Sequence, residues 1–151
     1  YITVKNDPRL TFMGGFLRKS KINELPQLLN IFLGHMSVVG PRPVMRVSFE
    51  SYPKKIQDVI YNVKPGLTGI GSIIFRDEEE IITNVKKEGG DIWEFYKNKI
   101  YPFKGELEIW YQKNKSFLLD LKLIFVTAWV VVFSNSKIHY RLFADLPKRN
   151  F

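Results

Sequence analysis

Leu25, Leu28, Leu29, Phe32 and Leu33 recur at i, i+3, i+4, i+7 and i+8, and this stripe restricts the fold more than any other stretch of the chain. The spacing gathers all five apolar side chains on one face of an α-helix, whereas a strand would scatter them over both faces. Pro26 limits where that helix begins. With Asn23 as N-cap, Pro26 falls at N3, inside the first turn, where an absent N–H costs no helical hydrogen bond. A start at Ser20 would put the proline in the interior. Gly34 is the natural stop.

Downstream, Met36 to Pro43 reads as a short extended run into a rigid turn, Gly40-Pro41-Arg42-Pro43. Residues 47–62 are expected to be helical, with Pro53 near a start. Lys64 to Gly71 is a glycine-punctuated loop leading into Ser72-Ile73-Ile74-Phe75, expected as a short strand. Asp77 to Lys87 reads as a charged helix broken by Gly89-Gly90, and residues 91–98 and 106–133 as two more helices, the second long and aromatic. No repeat, low-complexity tract or domain boundary interrupts residues 1–151. The expectation is one helix-rich α+β domain with short strands and amphipathic helices suited to a membrane interface.

Composition narrows the function classes. An apolar share of 45% with 15% aromatics is enough for a packed core. The absence of cysteine excludes disulfides, thiolate metal sites and thiol nucleophiles, and two histidines exclude a histidine-rich metal centre. The net charge of +8 is uneven: +4 over residues 1–22, +2 over 23–65, −2 over 66–100 and +4 over 101–151. Such basic ends suit an anionic partner: nucleic acid, a nucleotide substrate or an anionic membrane. No nucleic-acid motif is present. No signal peptide is legible in the opening residues. The most apolar run, Leu123 to Phe133, has eleven residues against the roughly 20 that a spanning helix needs.

Several residues carry candidate chemistry. Arg18 and Lys19 precede the expected helix start, and Glu24 lies in its first turn, where the dipole favours negative charge. Two prolines fix the backbone around Arg42, which suits bidentate recognition of phosphate as well as a plain rigid connector. The Lys64–Gly71 loop is the kind that turns backbone N–H groups toward a phosphate. Asp77-Glu78-Glu79-Glu80 suits a hard metal or a solvated helix face. His35 is placed to cap a helix C-terminus, and His139 sits in a basic tail. Phe117, Leu118, Leu121, Phe125 and Trp129, with Lys113, Lys115 and Lys122 nearby, suit an anionic lipid surface or a buried core helix.

Phe16-Leu17-Arg18-Lys19 with Asn23-Glu24-Leu25-Pro26-Gln27-Leu28, then Met36 to Pro43, then Lys64-Pro65-Gly66-Leu67-Thr68-Gly69, resemble the bacterial sugar transferase family. Trp110-Tyr111 and Asn114 to Lys122 look like that family's closing segment, so the resemblance runs from about residue 3 to residue 133. These are monotopic phosphoglycosyl transferases, which start exopolysaccharide and glycan assembly on a polyprenyl lipid at the cytoplasmic face of the bacterial inner membrane. The resemblance implies transfer of a sugar 1-phosphate from a nucleotide diphosphate sugar, usually a UDP-sugar, to undecaprenyl phosphate. It also implies an Asp-Glu dyad at the helix start, with Asp as covalent nucleophile, and Mg2+ at the site. By the same resemblance Arg18, Arg42 and Arg76 face phosphates, and Glu108 and Asp120 match acids tied to the site.

The chain departs from the family pattern in three places. Asn23 stands where the nucleophilic Asp belongs, His35 replaces the Asp of a Gly-Asp-Met-Ser run, and the stretch from Arg76 to Glu108 is longer than usual. The catalytic pair carried over is therefore Asn23 and Glu24, with Glu24 the metal-binding candidate. The family pattern also has a membrane-inserted N-terminal helix, and the expectation is that residues 1–151 do not include it. The alternative class is a non-catalytic relative that binds a nucleotide sugar or a partner glycosyltransferase. Homo-oligomerisation is left open by the sequence.

Overall fold

A computed structural model describes residues 11, 13–14, 24–60, 62–133 and 136–151. Among them, helices dominate and two short strands form a parallel pair, the α+β arrangement expected. Helix α1 (Leu25–Phe32) leads into β1 (Ser37–Val39), and β1 pairs with β2 (Gly66–Thr68) with Ser37 opposite Gly66 and Val39 opposite Thr68. Between the strands lie α2 (Arg46–Glu50) and α3 (Lys54–Ile60), so the expected single helix over 47–62 is broken. Pro53 explains the break, because it disfavours helical backbone at the preceding residue and has no N–H of its own to donate.

After β2 comes α4 (Ile70–Ile74), which replaces the strand expected at Ser72–Phe75. Ile70, Ile73 and Ile74 fall at helical spacing and all three are buried. Packing decides for the helix over β-branched propensity. The charged helix α5 (Glu78–Lys87) follows as expected, then α6 (Ile92–Phe95), a π-helical turn (Tyr96–Ile100) and α7 (Tyr101–Asn114). Pro102 lies in the first turn of α7, immediately after the widened turn, where the regular hydrogen-bond ladder is already interrupted.

The long helix expected over 106–133 is two helices. α7 ends at Asn114, and α8 (Phe117–Val132) restarts with Ser116 as N-cap, its hydroxyl accepting from the Leu119 N–H at 3.2 Å. A last short helix, α9 (Ile138–Leu142), precedes a tail that returns over the domain.

Helix α7 is the centre of the molecule. It packs against α3 and α4, and α4 in turn meets α8, which also lies against both strands. Leu107, Ile100, Leu123, Val126 and Ile82 are fully buried here; each removes from water an apolar side chain worth roughly 1.5–3 kcal/mol. Gly105 makes the α3–α7 contact possible, since a Cβ there would stand 2.1 Å from Ile56 Cδ1. The stripe on α1 is helical as expected, yet Leu25, Leu28, Leu29, Phe32 and Leu33 are all exposed, Phe32 by 87%. On α8 the buried face is Leu119, Leu123, Val126 and Val130, whereas Phe117, Leu118, Leu121, Phe125 and Trp129 face outward. No described helix is long and apolar enough to cross a membrane.

Candidate functional site

The β1–β2 pair is continued by a junction of glycines. The Gly40 N–H donates to Thr68 O at 2.9 Å and the Gly66 N–H to Pro41 O at 2.9 Å. A Cβ on Gly66 would stand 2.2 Å from Gly40 N, and one on Gly69 would stand 2.3 Å from Gly40 O. Any side chain here collides with backbone, so the two segments approach only as glycine. The Gly66 N–H is thus spent inside the junction, which corrects the expectation that this part of the loop offers its N–H groups to a phosphate.

The junction fixes two cations at opposite ends of α1. Beyond Gly40, the Pro41–Pro43 turn carries Arg42, whose Nη2 lies 3.6 Å from Glu24 Oε1 at the helix start. Before Gly66, Lys64 Nζ donates to the Gly34 carbonyl at 2.7 Å, at the helix end. Glu24 occupies the N-cap position, one residue later than the expected Asn23, and its side chain makes no capping bond. Its carboxylate instead accepts from the Gln27 amide. The Glu24 side chain is 21% exposed and that of Arg42 is 61% exposed. So open and long an ion pair is worth at most about 1 kcal/mol, and the guanidinium is easily diverted to a stronger anion.

Glu108 and Asp120 are carried by α7 and α8 and make contacts of their own. Glu108, on α7, is buried, and its Oε1 would stand 3.1 Å from a Cβ on Gly71. Burial pushes its carboxyl up to about 8, against the opposing pull of Lys104. Asp120 accepts the Tyr111 phenol at 2.9 Å. Burial chiefly, then the Asp120 hydrogen bond and the charges of Asp120 and Glu108, raise the Tyr111 phenol well above its ordinary range. Tyr111 is therefore bonded to Asp120 and feels Glu108 only through its charge.

Arg76 donates to the Val130 carbonyl near the end of α8. That helix is registered on the sheet by a Thr68–Thr127 hydroxyl contact of 2.8 Å. The acidic run after it does not gather round one point: Asp77 binds Arg149, while Glu78 binds Lys104 and the Tyr96 hydroxyl. Among the described residues no group of three or more His, Asp or Glu side chains could hold a metal. At His35 the structure shows backbone capping, with the His35 and Met36 N–H groups both donating to Asn30 O. His139 is buried against the domain rather than loose in a tail. Arg18 and Asn23 lie outside the described residues.

The glycine junction, Lys64–Gly34 and Thr68–Thr127 were not singled out as contacts from sequence, although the glycines themselves were visible. The Arg149–Asp77 pair gave no local signal at all, being 72 residues apart in the chain.

The family model described as Bacterial sugar transferase matches residues 1–134. The chain is 36% identical over 129 residues to a UDP-galactose-lipid carrier transferase of Erwinia amylovora, covering 85% of this chain and 23% of that protein. It is 37% identical over 128 residues to a UDP-glucose:undecaprenyl-phosphate glucose-1-phosphate transferase of Klebsiella pneumoniae, covering 83% of this chain and 24% of the relative. It is 38% identical over 129 residues to the uncharacterized sugar transferase EpsL of Bacillus subtilis, covering 85% of this chain and 54% of that protein. The chain thus spans from about a quarter to about half the length of these relatives. The match extends through the glycine junction, the Arg42 turn and all but the last residues of the fold, and the chain belongs to the bacterial sugar transferase family.

Proposed function

We propose that the protein acts at a bacterial membrane surface on a UDP-sugar and undecaprenyl phosphate, passing sugar 1-phosphate to the lipid with release of UMP. The observation that carries this reading is the Glu24–Arg42 pair, held at one end of α1 by the glycine junction. Phosphoryl transfer depends mainly on positioning and charge neutralisation, and this pair offers a carboxylate beside an exposed guanidinium. The activities named for the Erwinia and Klebsiella relatives support the substrate classes.

In the family reaction a carboxylate oxygen attacks the phosphorus that bears the sugar, and the bond from that phosphorus to the UMP oxygen breaks. An oxygen of undecaprenyl phosphate then attacks the same phosphorus and frees the carboxylate. Residue 23 here is an amide, so Glu24 is the acid left to act as nucleophile or as base toward the lipid phosphate. A lone, partly open carboxylate suits a Mg2+ ion that shares its remaining positions with substrate phosphates and water. Glu24 would hold such an ion with the diphosphate, where it supplies charge neutralisation.

Arg42 is assigned to the diphosphate. Arg42→Ala should weaken UDP-sugar binding about 10- to 100-fold, the scale of a lost charge-assisted hydrogen bond of about 1.5–3 kcal/mol. Arg42→Lys should recover only part, because an ammonium lacks the planar fork. Isothermal titration of the full-length protein decides this, and unchanged affinity in Arg42→Ala removes the assignment.

The outward face of α8, with exposed Lys113, Lys115 and Lys122, supports the membrane part of the proposal. In co-sedimentation the protein should pellet with anionic vesicles and much less with neutral ones. Equal pelleting with both, or none, removes the electrostatic contribution claimed for these lysines.

The second reading, a relative that binds nucleotide sugar without turnover, is favoured by Asn23. An assay of UMP release over a panel of UDP-sugars with undecaprenyl phosphate separates the two.

A further inference from the structure

The tail beyond the family match, residues 136–151, does not trail away from the domain. Arg149 Nη1 and Nη2 bind the two Asp77 carboxylate oxygens at 2.8 and 2.6 Å, and Nη1 also reaches the Ile74 carbonyl at 3.4 Å. The Arg149 guanidinium lies 5.8 Å from the centre of the Phe75 ring. Phe151 packs against Phe75, Phe95 and Phe103, with ring centres 6.5, 5.7 and 5.9 Å apart. The base of the tail is anchored separately: Phe143 and Leu146 are buried, and Asp145 accepts the Trp110 indole N–H at 3.0 Å.

These contacts converge on one turn. Residue 149 touches Ile74, Phe75 and Asp77, the neighbours of Arg76, but the structure gives it no bond to Arg76 itself. Asp77 holds the N-cap position of α5, yet its side chain makes no capping bond. An aspartate at that position ordinarily bonds the helix N–H groups; here both oxygens go to the tail. Burial pushes the Asp77 carboxyl up, but the hydrogen bonds and charge of Arg149, aided by the field of Arg76, outweigh it and hold the acid below its ordinary value. The turn is thus gripped on its backbone, its ring and its acid. The Arg76 it carries is exposed and spends Nη1 on the Val130 carbonyl of α8, so Nε and Nη2 are the donors a further anion would meet.

We propose that Arg149 is a positioning residue: it clamps the Phe75–Asp77 turn and so fixes the direction in which Arg76 meets an anionic phosphate of the substrates. This rests on the sugar-phosphate transfer proposed above. It makes the C-terminal tail, which lies outside the family match, part of the machinery that orients the site.

The test uses the full-length protein. Arg149→Ala should lower kcat/KM for UMP release about 10- to 100-fold, the scale expected when a reacting geometry loosens by about 1 Å. Arg149→Lys should regain only part, since one ammonium cannot make both carboxylate bonds. The deciding measurement is the cycle with Arg76→Ala. If Arg149 acts through Arg76, the double variant is no slower than Arg76→Ala alone. Multiplying losses, or full activity in Arg149→Ala, overturns the proposal. Hydrogen exchange gives a readout independent of turnover: peptides covering residues 73–81 should lose protection in Arg149→Ala while those of α7 do not. Unchanged exchange there also overturns the clamp. Absence of UMP release by the wild type over the whole sugar panel would instead overturn the transferase reading, and the exchange result would still judge the clamp.

Discussion

Asn23→Asp in the full-length protein should create or raise UMP release from a matching UDP-sugar by about 10^3-fold or more, because loss of a covalent nucleophile costs up to about 10^6 in well-studied enzymes. The physical contrast is simple. Asp offers a negative oxygen that can attack phosphorus, and a helix N-terminus and nearby cations keep such a group ionised. Asn offers a neutral amide whose lone pair is delocalised. The substitution leaves the helix cap alone, since Glu24 rather than residue 23 holds that position in α1. Arg42 beside Glu24 also offsets part of the repulsion between two adjacent acids. A phosphosugar adduct on residue 23, seen by mass spectrometry in the Asp form and absent from the Asn form, is the accompanying signature. Equal release by both forms would show that residue 23 is not the nucleophile. No release by either, with undecaprenyl phosphate supplied, would leave the nucleotide-sugar-binding reading in its place.

What was legible beforehand follows a physical line. The stripe on α1 and the charged α5 were read correctly because each is set by its own periodicity. The run Ile70 to Phe75 was misread because β-branched residues favour strands, and the decisive fact was burial against α7 and α8, which no local window contains. The split between α7 and α8 did have a local signal. Ser116 stands just before a fresh apolar run, the usual place for an N-cap, but the aromatic continuity from Trp110 to Trp129 masked it.

The site was legible in parts. Glu24 and Arg42 were named from sequence, and the structure brings them together. The reason they meet was not legible, because it is a backbone contact between Gly40 and Gly66, distant in sequence. Arg76 was named as well, yet the pair that frames it, Asp77 and Arg149, is a tertiary contact without sequence pattern. Position-by-position reading finds reactive side chains more readily than it finds what aims them.

Glu108→Gln should stabilise the fold at pH 8 and lose that advantage near pH 4.5. The Glu108 carboxyl is raised from an ordinary 4.5 to about 8 by burial, with Lys104 pulling the other way. Between those two values the folded protein keeps a proton that the unfolded chain has released. Stability therefore falls as pH rises through this window, by at most about 5 kcal/mol at 1.36 kcal/mol per unit. Glutamine is neutral throughout and nearly the same size, so it keeps the buried shape without that dependence. Denaturant unfolding at pH 4.5, 6 and 8 should give a variant-minus-wild-type difference that grows with pH, to about 2–5 kcal/mol at pH 8. A constant offset at all three pH values would show that Glu108 does not hold its proton when folded. The same variant then bears on function. Glu108 lies against Gly71, two residues past the Gly69 that closes on Gly40, and so next to the junction that carries Arg42. A protein that becomes more stable and keeps its UMP release has a carboxyl that only fills space. One that becomes more stable and loses release has been giving up stability near neutral pH to keep an acid beside its site.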